Sequence, residues 1–116
     1  MTRDRNRQAI EAVRSSAEAE AIALKDSQFV LEKLHAYYQS LGPADRLHAQ
    51  AVLMEWALSD DEKLRFDALA VIDDFAIVAA MPVLVSLANR LEPGTTPGAI
   101  YERRKVQRIL VRLGAH

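Results

Sequence analysis

The sequence predicts an all-α protein of about six helices, and three observations lead to that prediction. Apolar residues recur at steps of three and four along six separate segments, which is the period of one helix face. No segment alternates apolar and polar residues over a useful length, as a half-buried strand would. Capping residues, glycines and prolines separate the segments, as expected at helix boundaries.

Length and composition bound the class of protein. The 116 residues suit a single domain spanning residues 1–116, and a chain that is 50% hydrophobic and 27% charged is typical of a globular protein. The net charge of -1 predicts no bulk attraction to nucleic acid or to an anionic membrane. The absence of cysteine excludes disulfides and thiolate chemistry and fits a reducing cytoplasm. With no signal peptide and no apolar run near the ~20 residues of a membrane span, a soluble cytoplasmic protein is expected.

The first two helices come from the N-terminal third of the sequence. The first carries a narrow, alanine-rich stripe, so residues 1–25 are expected to form a loosely packed N-terminal helix. Asp26 or Ser27 can cap the second helix, in which Leu34 lies on the apolar face. Gly42-Pro43 is predicted to end it, with glycine in a left-handed cap and proline starting the next helix.

The third helix, about residues 43–58, is apolar on two nearly opposite faces. An apolar face left in water forfeits burial worth ~25 cal/mol per Å², so we expect neighbours to cover both faces. The helix is therefore predicted to lie centrally. One stripe contains Leu47, Ala51, Met54 and Leu58, and the other contains Ala49, Val52 and Trp56.

Residues 59–62, Ser-Asp-Asp-Glu, match the capping box that begins a helix. The Ser59 hydroxyl is expected to accept a hydrogen bond from the Glu62 amide, and the Glu62 carboxylate one from the Ser59 amide. Asp60 and Asp61 would then lie in the first turn, where the helix dipole favours negative charge. Three acids of this segment are thereby explained as capping groups.

The second half of the chain contains the remaining helices. Asp73-Asp74 falls near the end of the fourth helix, where the dipole disfavours acids, so this pair either caps the next helix or serves something outside the fold. The fifth helix is predicted to be regular from about Met81, because Pro82 is tolerated near a helix start. The segment EPGTTPGA is predicted as a loop before a sixth helix over about residues 101–113.

Six helices with short connections pair naturally as three antiparallel hairpins, the arrangement of a capped solenoid. Residues 44–91 resemble HEAT-type helical repeats, with a helix, a tight polar turn, a second helix and a short acidic turn before the next. The resemblance rests on Leu64-Arg65-x-x-Ala68-Leu69 and Ala80-x-Pro82-x-Leu84. It implies a short HEAT-like right-handed α-solenoid.

The same resemblance implies a function. HEAT-like proteins are generally binding scaffolds, and small bacterial ones include immunity proteins that neutralise polymorphic toxins. This chain is similar to those in size, so the resemblance implies a non-catalytic, cofactor-free inhibitor that binds a cognate toxin. A scaffold or regulatory adaptor is the alternative of the same kind, and a nucleic-acid-binding helical repeat is the alternative of another class.

The predicted partner surface combines carboxylates with aromatic rings. Asp67 and Asp74 lie on one side of the fourth helix, where a Lys63–Asp67 pair is the structural alternative. Trp56 and Phe66 lie off the main stripes of their helices, and any ring that stays exposed would be the preferred anchor for a partner. For a basic toxin domain we predict contacts at Asp60, Asp61, Asp67, Asp73, Asp74, Trp56 and Tyr38.

Two carboxylate-x-x-His steps are the main enzyme-like signal. Glu32 and His35, like Asp45 and His48, have the spacing of ligands that share one metal in helical bundles. At ~100° per residue, both steps point away from the apolar stripes of their helices, so solvated side chains and no metal are predicted. The sequence contains no HExxH, GxSxG or glycine-rich phosphate motif, and no enzyme is predicted.

A basic stripe runs along the last helix through Arg104, Arg108 and Arg112. Such a stripe can neutralise phosphates, which is the basis of the nucleic-acid hypothesis. Cations near a helix C-terminus are also favourable without a ligand, and these could pair with Asp67 or Asp74. No aromatic stacking platform accompanies the stripe, so nucleic acid stays the alternative partner.

Overall fold

The computed structural model describes residues 3–24 and 28–115, and this part of the chain contains helices and connections but no strand. The all-α prediction is confirmed there, whereas the hairpin and solenoid arrangement stays a prediction. Two compact units, Met1–Leu53 and Met54–His116, divide the chain within the third helix. The elements are α1 (Arg3–Leu24), α2 (Phe29–Ser40), α3 (Pro43–Ala57), α4 (Glu62–Asp74), a 3-10 helix (Val78–Ala80), α5 (Met81–Leu91) and α6 (Pro97–Gly114).

In the first unit, α1 packs along α2. Ile10 and Ala17 of α1 and Leu34 of α2 are buried, as their helical spacing predicts. Asn6 is also buried, and its Nδ2 donates a hydrogen bond to Asp45 Oδ1 at 3.2 Å in the first turn of α3. The predicted caps of α2, Asp26 and Ser27, lie outside the described residues.

The turn between α2 and α3 differs from the prediction. Leu41 leaves α2 in an extended conformation, and Gly42 has no positive φ, so the predicted left-handed glycine cap is wrong. Instead the Gly42 carbonyl accepts a hydrogen bond from the Arg46 amide at 2.9 Å. Gly42 therefore serves as the N-cap residue of α3, and Pro43 occupies the first helical position as predicted.

One face of α3 is buried, and the other is buried only in part. The stripe predicted through Val52 and Trp56 is buried, and Leu53 and Ala57 extend it. Leu47, on the opposite stripe, is exposed, so the prediction that both faces are covered is wrong at this position. Periodicity identifies which residues share a face, but the presence of a neighbour depends on packing far along the chain.

In the second unit, α6 packs along α5 and also contacts α4. The regular helix from Met81 is confirmed, with Pro82 in its first turn. α6 begins at Pro97, earlier than predicted, because the Thr96 hydroxyl caps it by accepting from the Ala99 amide at 3.2 Å. The buried side chains include Ala68, Leu69 and Ile72 of α4, Leu84 and Leu87 of α5, and Val106, Ile109 and Leu113 of α6.

The N-terminus of α4 is capped by Asp61 rather than by Ser59. Asp61 Oδ1 accepts a hydrogen bond from the Lys63 amide at 2.9 Å, and Glu62 is the first helical residue. The Ser59 hydroxyl accepts from the Asp61 amide at 3.0 Å, which forms a turn just before the helix. The predicted capping box is therefore wrong, because the Asp61 carboxylate provides a charged acceptor closer to the apolar stripe.

The C-terminus of α4 is closed by a left-handed residue that is not glycine. Ala76 has a φ of 50°. Its amide donates to the Asp73 carbonyl at 3.2 Å, and the Ile77 amide donates to the Ile72 carbonyl at 3.0 Å. These two hydrogen bonds form a Schellman motif, and the burial of Ile72 and Ile77 supplies the apolar contact that accompanies it.

Candidate functional site

α4 and α6 contact each other, and pairs of side chains join the two helices. The positions of the paired residues rise together along both helices, so α4 and α6 run in the same direction. Pairs of this kind also hold the two helices in register, since each fixes one turn of α4 against one turn of α6. The pairs are Arg65 with Glu102, Phe66 with Lys105, and Asp73 with Arg112.

The Arg65–Glu102 ion pair is more buried than the Asp73–Arg112 ion pair. Arg65 Nε donates to Glu102 Oε2 at 2.7 Å and Nη2 donates to Oε1 at 2.9 Å, a bidentate geometry. Arg65 Nη1 also donates to the Ser59 carbonyl at 3.1 Å. The two side chains are 13% and 14% exposed. The hydrogen bonds to Glu102 raise the pKa of Arg65.

Beside this pair an open groove of about 100 Å³ lies between α4 and α6, and we call it the α4–α6 groove. Leu69, which is buried, contributes apolar surface at its base. The groove is open to solvent, and two aromatic rings that the fold leaves partly uncovered form part of its walls. Its other lining residues are Glu62 and Phe66 from α4 and Gly98, Tyr101, Glu102 and Lys105 from α6.

The aromatic rings of the groove are the feature best suited to contact a partner. Phe66 is 45% exposed and Tyr101 is 64% exposed, although both side chains are large. Aromatic rings supply much of the binding energy of protein interfaces when a partner desolvates them. The sequence prediction singled out Phe66 as an off-stripe ring, and it is one of the two rings that remain exposed.

Lys105 lies over one of these rings. Its Nζ is 4.1 Å from the centroid of Phe66, within the range of a cation–π contact. Burial lowers the pKa of Lys105 below its ordinary value, and the nearby charge of Arg108 acts in the same direction, while Asp73 and Glu102 oppose the shift. The ammonium group is therefore poorly hydrated where it stands.

The groove has an acidic end at the start of α4. Glu62 lines the groove there and forms no ion pair with another described residue, and Asp61 is exposed beside it. Asp60 differs, because Arg90 Nη2 donates to its Oδ1 at 2.6 Å. Arg90 is anchored in turn by its hydrogen bond to the Leu58 carbonyl at 2.7 Å. Outside the Asp60–Arg90 pair, the acids at this end are Glu62 and Asp61, and Glu62 also interacts electrostatically with Arg65.

The structure separates the carboxylates that we predicted to bind a partner. Asp60 and Asp61 precede α4, whereas Asp73 and Asp74 end it, about 18 Å away at 1.5 Å per residue. Asp73 accepts a hydrogen bond from Arg112 Nε at 2.9 Å, and Asp74 is exposed. These acids do not form one continuous surface.

The other three predicted contact residues are buried. Asp67 is buried on the inner side of α4, and Trp56 and Tyr38 are buried as well. The Tyr38 hydroxyl accepts a hydrogen bond from Gln50 Nε2 at 2.8 Å. None of the three therefore presents its side chain at the surface.

Sequence reasoning did not identify the contribution of α6 to the groove. Tyr101 and Lys105 are one turn apart, and Glu102 lies between them on the side that faces α4. An aromatic residue one turn before a lysine was a visible signal. Its meaning depended on α4, whose paired residues lie 37 or 39 positions earlier in the sequence.

The two carboxylate-x-x-His steps do not form a metal site in the described structure. Glu32 is exposed, and Asp45 accepts a hydrogen bond from the buried Asn6. Within residues 3–24 and 28–115, no three or more histidines and carboxylates are placed so that they could share a metal ion.

Replacing Tyr37 tests the polar surroundings of Asp45. The Tyr37 hydroxyl is buried without a hydrogen-bond partner among the described residues, and burial, followed by the charge of Asp45, raises its pKa. Replacing Tyr37 with phenylalanine is expected to raise the free energy of unfolding by about 1 kcal/mol at pH 7, because a buried unsatisfied hydroxyl is costly. Urea unfolding measures the difference.

The pH dependence of this effect has a definite sign. The pKa of Tyr37 is higher in the folded protein than its unfolded value of 10.0. The wild type therefore loses stability as the pH rises past 10.0, and the gain in unfolding free energy of Tyr37→Phe over the wild type should grow there. Tyr38→Phe is the matched control and should destabilise the protein, because it removes the acceptor of Gln50. Equal effects of the two substitutions would contradict this account.

The basic stripe of α6 is only partly available. Arg112 pairs with Asp73, which the sequence analysis had not named as its partner, and Arg103 Nη1 donates to the Glu92 carbonyl at 3.1 Å. Arg104 and Arg108 are exposed. The stripe therefore contributes to holding α6 in place as well as to the surface charge.

The described part of the chain is thus an all-α fold with an open aromatic groove between two parallel helices. None of its helices has the length and apolar character needed to cross a membrane. Comparison with known proteins found no matching family model, no matching curated protein and no matching solved structure.

Proposed function

We propose that this chain is a non-catalytic protein-binding module, an immunity-like inhibitor that occludes a basic partner such as a toxin domain. The observation that carries the proposal is the α4–α6 groove, with two partly exposed rings and an acidic end. Apolar rings favour burial by a partner, and the charge of Glu62 and Asp61 favours a basic one.

The groove chemistry supports binding rather than catalysis. General acid–base chemistry needs a carboxyl group that is desolvated and available to a substrate. Glu102 is largely buried but is engaged by Arg65 in two hydrogen bonds, whereas Glu62 is exposed to water. Each carboxylate therefore lacks one of the two properties.

The proposed architecture is a short HEAT-like solenoid. Two features support it: α5 and α6 pack as a pair, and α4 runs parallel to α6, as equivalent helices of successive hairpins would. In such a stack, parallel helices form a continuous grooved wall, and the α4–α6 groove would be part of it.

Gly98 provides a sharp test, because it lines the groove and a Cβ added there meets nothing within 4 Å. A Gly98→Trp variant should keep its fold and fill the groove. Gly42, where an added Cβ also meets nothing within 4 Å, does not line the groove, so Gly42→Trp is the matched control.

The wild type and both variants are immobilised and exposed to extract of the native host. We expect a partner that binds the wild type and Gly42→Trp with equal affinity and binds Gly98→Trp at least tenfold more weakly, measured by calorimetry on the purified partner. Equal affinity of all three proteins would exclude the groove as the binding site.

Inhibition is tested by expressing the captured partner alone and with each variant. An immunity-like role predicts that the partner arrests growth, and that the wild type and Gly42→Trp restore growth while Gly98→Trp does not. A partner that binds through the groove but leaves growth unaffected would replace the inhibitor proposal with a scaffold or adaptor role.

A further inference from the structure

We infer that the α4–α6 groove recognises an arginine side chain of its partner, and that Lys105 holds the place of that arginine in the free protein. This inference rests on the proposed function, and it adds the chemical group that the groove selects. The occupant is a basic segment of a partner protein that brings one arginine to the ring of Phe66.

On α4, a carboxylate lies close to an aromatic ring in the groove. Glu62 and Phe66 are four residues apart, so they lie on the same face of the helix, and both line the groove. A carboxylate beside an accessible aromatic ring matches a guanidinium group, which can stack on the ring and donate hydrogen bonds to the carboxylate. Tyr101 provides a second exposed ring on the opposite wall.

The free protein already places a cation over the Phe66 ring. Lys105 Nζ lies 4.1 Å from the centroid of Phe66, which shows that the ring accepts a positive charge. The same ammonium group is partly desolvated, since burial lowers the pKa of Lys105. Moving it into water would restore its hydration, so a partner cation can displace it at low cost.

Arginine is better suited than lysine to the position over the Phe66 ring. Guanidinium is more weakly hydrated than ammonium, and its planar shape stacks on an aromatic face. Glu102 does not compete for it, because Arg65 already holds that carboxylate in a bidentate pair. Glu62 forms no ion pair with another described residue and is the carboxylate left to receive the arginine.

A partner carboxylate would be the opposite kind of occupant, and one substitution distinguishes it from a partner arginine. If a partner carboxylate bound the Lys105 ammonium, removing that charge would weaken binding. If Lys105 holds the place of an arginine, its removal should strengthen binding. Lys105→Met therefore gives opposite signs for the two kinds of occupant.

The probes are two acetylated, amidated ten-residue peptides, one of alternating arginine and leucine and one with glutamate in place of every arginine. Both are titrated into the full-length protein and its variants by NMR and calorimetry. Lys63→Met is the matched control, because Lys63 is an exposed lysine on α4 that does not line the groove. Thermal unfolding confirms that each variant is folded.

We expect Lys105→Met to bind the arginine peptide about threefold more tightly than Lys63→Met does, and Phe66→Leu to bind it about tenfold more weakly than the wild type. Glu62→Gln should weaken it as well. Resonances of Tyr101 and Gly98 should shift on binding. The glutamate peptide should bind more weakly than the arginine peptide in every variant.

The inference would be overturned if Lys105→Met bound the arginine peptide no more tightly than Lys63→Met does. Tighter binding of the glutamate peptide, or no binding of the arginine peptide by the wild type, would also overturn it. These outcomes are separate from the failure of the proposed function. If Gly98→Trp abolishes partner capture while Lys105→Met brings no gain, the groove remains the binding site but its arginine preference is wrong.

Discussion

Replacing Arg65 with methionine is expected to lower the free energy of unfolding by about 2 to 3 kcal/mol, because the change leaves the Glu102 carboxylate largely buried without its counterion. The same change removes the hydrogen bond to the Ser59 carbonyl, which lies just before α4. Chemical denaturation measures the loss. Both groups are less than one-third exposed, so solvent screens the pair only weakly.

Two further variants give this prediction its controls. In the Arg65→Met, Glu102→Leu double variant the stranded charge is gone, and we expect a loss of about 1 kcal/mol or less. Arg112→Met should cost within about 0.5 kcal/mol, because in the Arg112–Asp73 pair the side chains are 58% and 27% exposed. Equal losses for Arg65→Met and Arg112→Met would show that burial does not set the strength of these pairs.

The Arg65–Glu102 pair also connects stability to binding. It fixes the wall of the α4–α6 groove that Glu102 belongs to, and the next residue, Phe66, carries the ring beneath Lys105. In a folded Arg65→Met variant, Glu102 would lose the two hydrogen-bond donors of Arg65 and become a second free carboxylate on the groove wall, although Arg65 itself does not line the groove.

The helices could be predicted from the sequence because their signals are local. Apolar spacing identified Leu34 and Val52 as inward-facing, and both are buried. Pro82 set the start of α5 through the fixed backbone angle of proline. Thr96-Pro97 was an equally local signal for the start of α6, and the loop composition of EPGTTPGA obscured it.

Competition between neighbouring acceptors explains the error at α4. Ser59 and Asp61 both offer a side-chain oxygen to the first free amides, and their spacing to those amides differs by only two residues. Sequence spacing alone does not rank the two. The carboxylate makes the stronger hydrogen bond, so the helix begins after Asp61 and Ser59 forms the preceding turn.

The groove could not be predicted because it depends on contacts between distant parts of the chain. Carboxylates were assigned to a partner surface from composition, yet Asp67 is buried, and Asp60 and Asp73 are neutralised by arginines. Which acid remains outside an ion pair is decided by side chains of α6 and α5, as the Arg112–Asp73 and Arg90–Asp60 pairs show. Among the acids at the start of α4, Glu62 was explained as a capping group, and it is the one that lines the groove.

Truncating Leu87 to alanine is expected to cost about 3 kcal/mol of unfolding free energy. Leu87 is fully buried in α5, and the surrounding side chains cannot collapse fully into the space that the substitution leaves. Val85→Ala in the same helix is the control, because Val85 is 48% exposed and should change stability by less than about 0.5 kcal/mol. Urea unfolding of the two variants measures both values.

This comparison tests more than one side chain. α5 packs along α6, and α6 supplies four of the residues that line the groove, although α5 supplies none. Leu87→Ala should therefore bind a groove ligand normally well below its unfolding temperature and lose binding only as α6 loses its support. If Val85→Ala cost as much as Leu87→Ala, the buried face of α5 would be misassigned, and so would the support that α5 gives to α6.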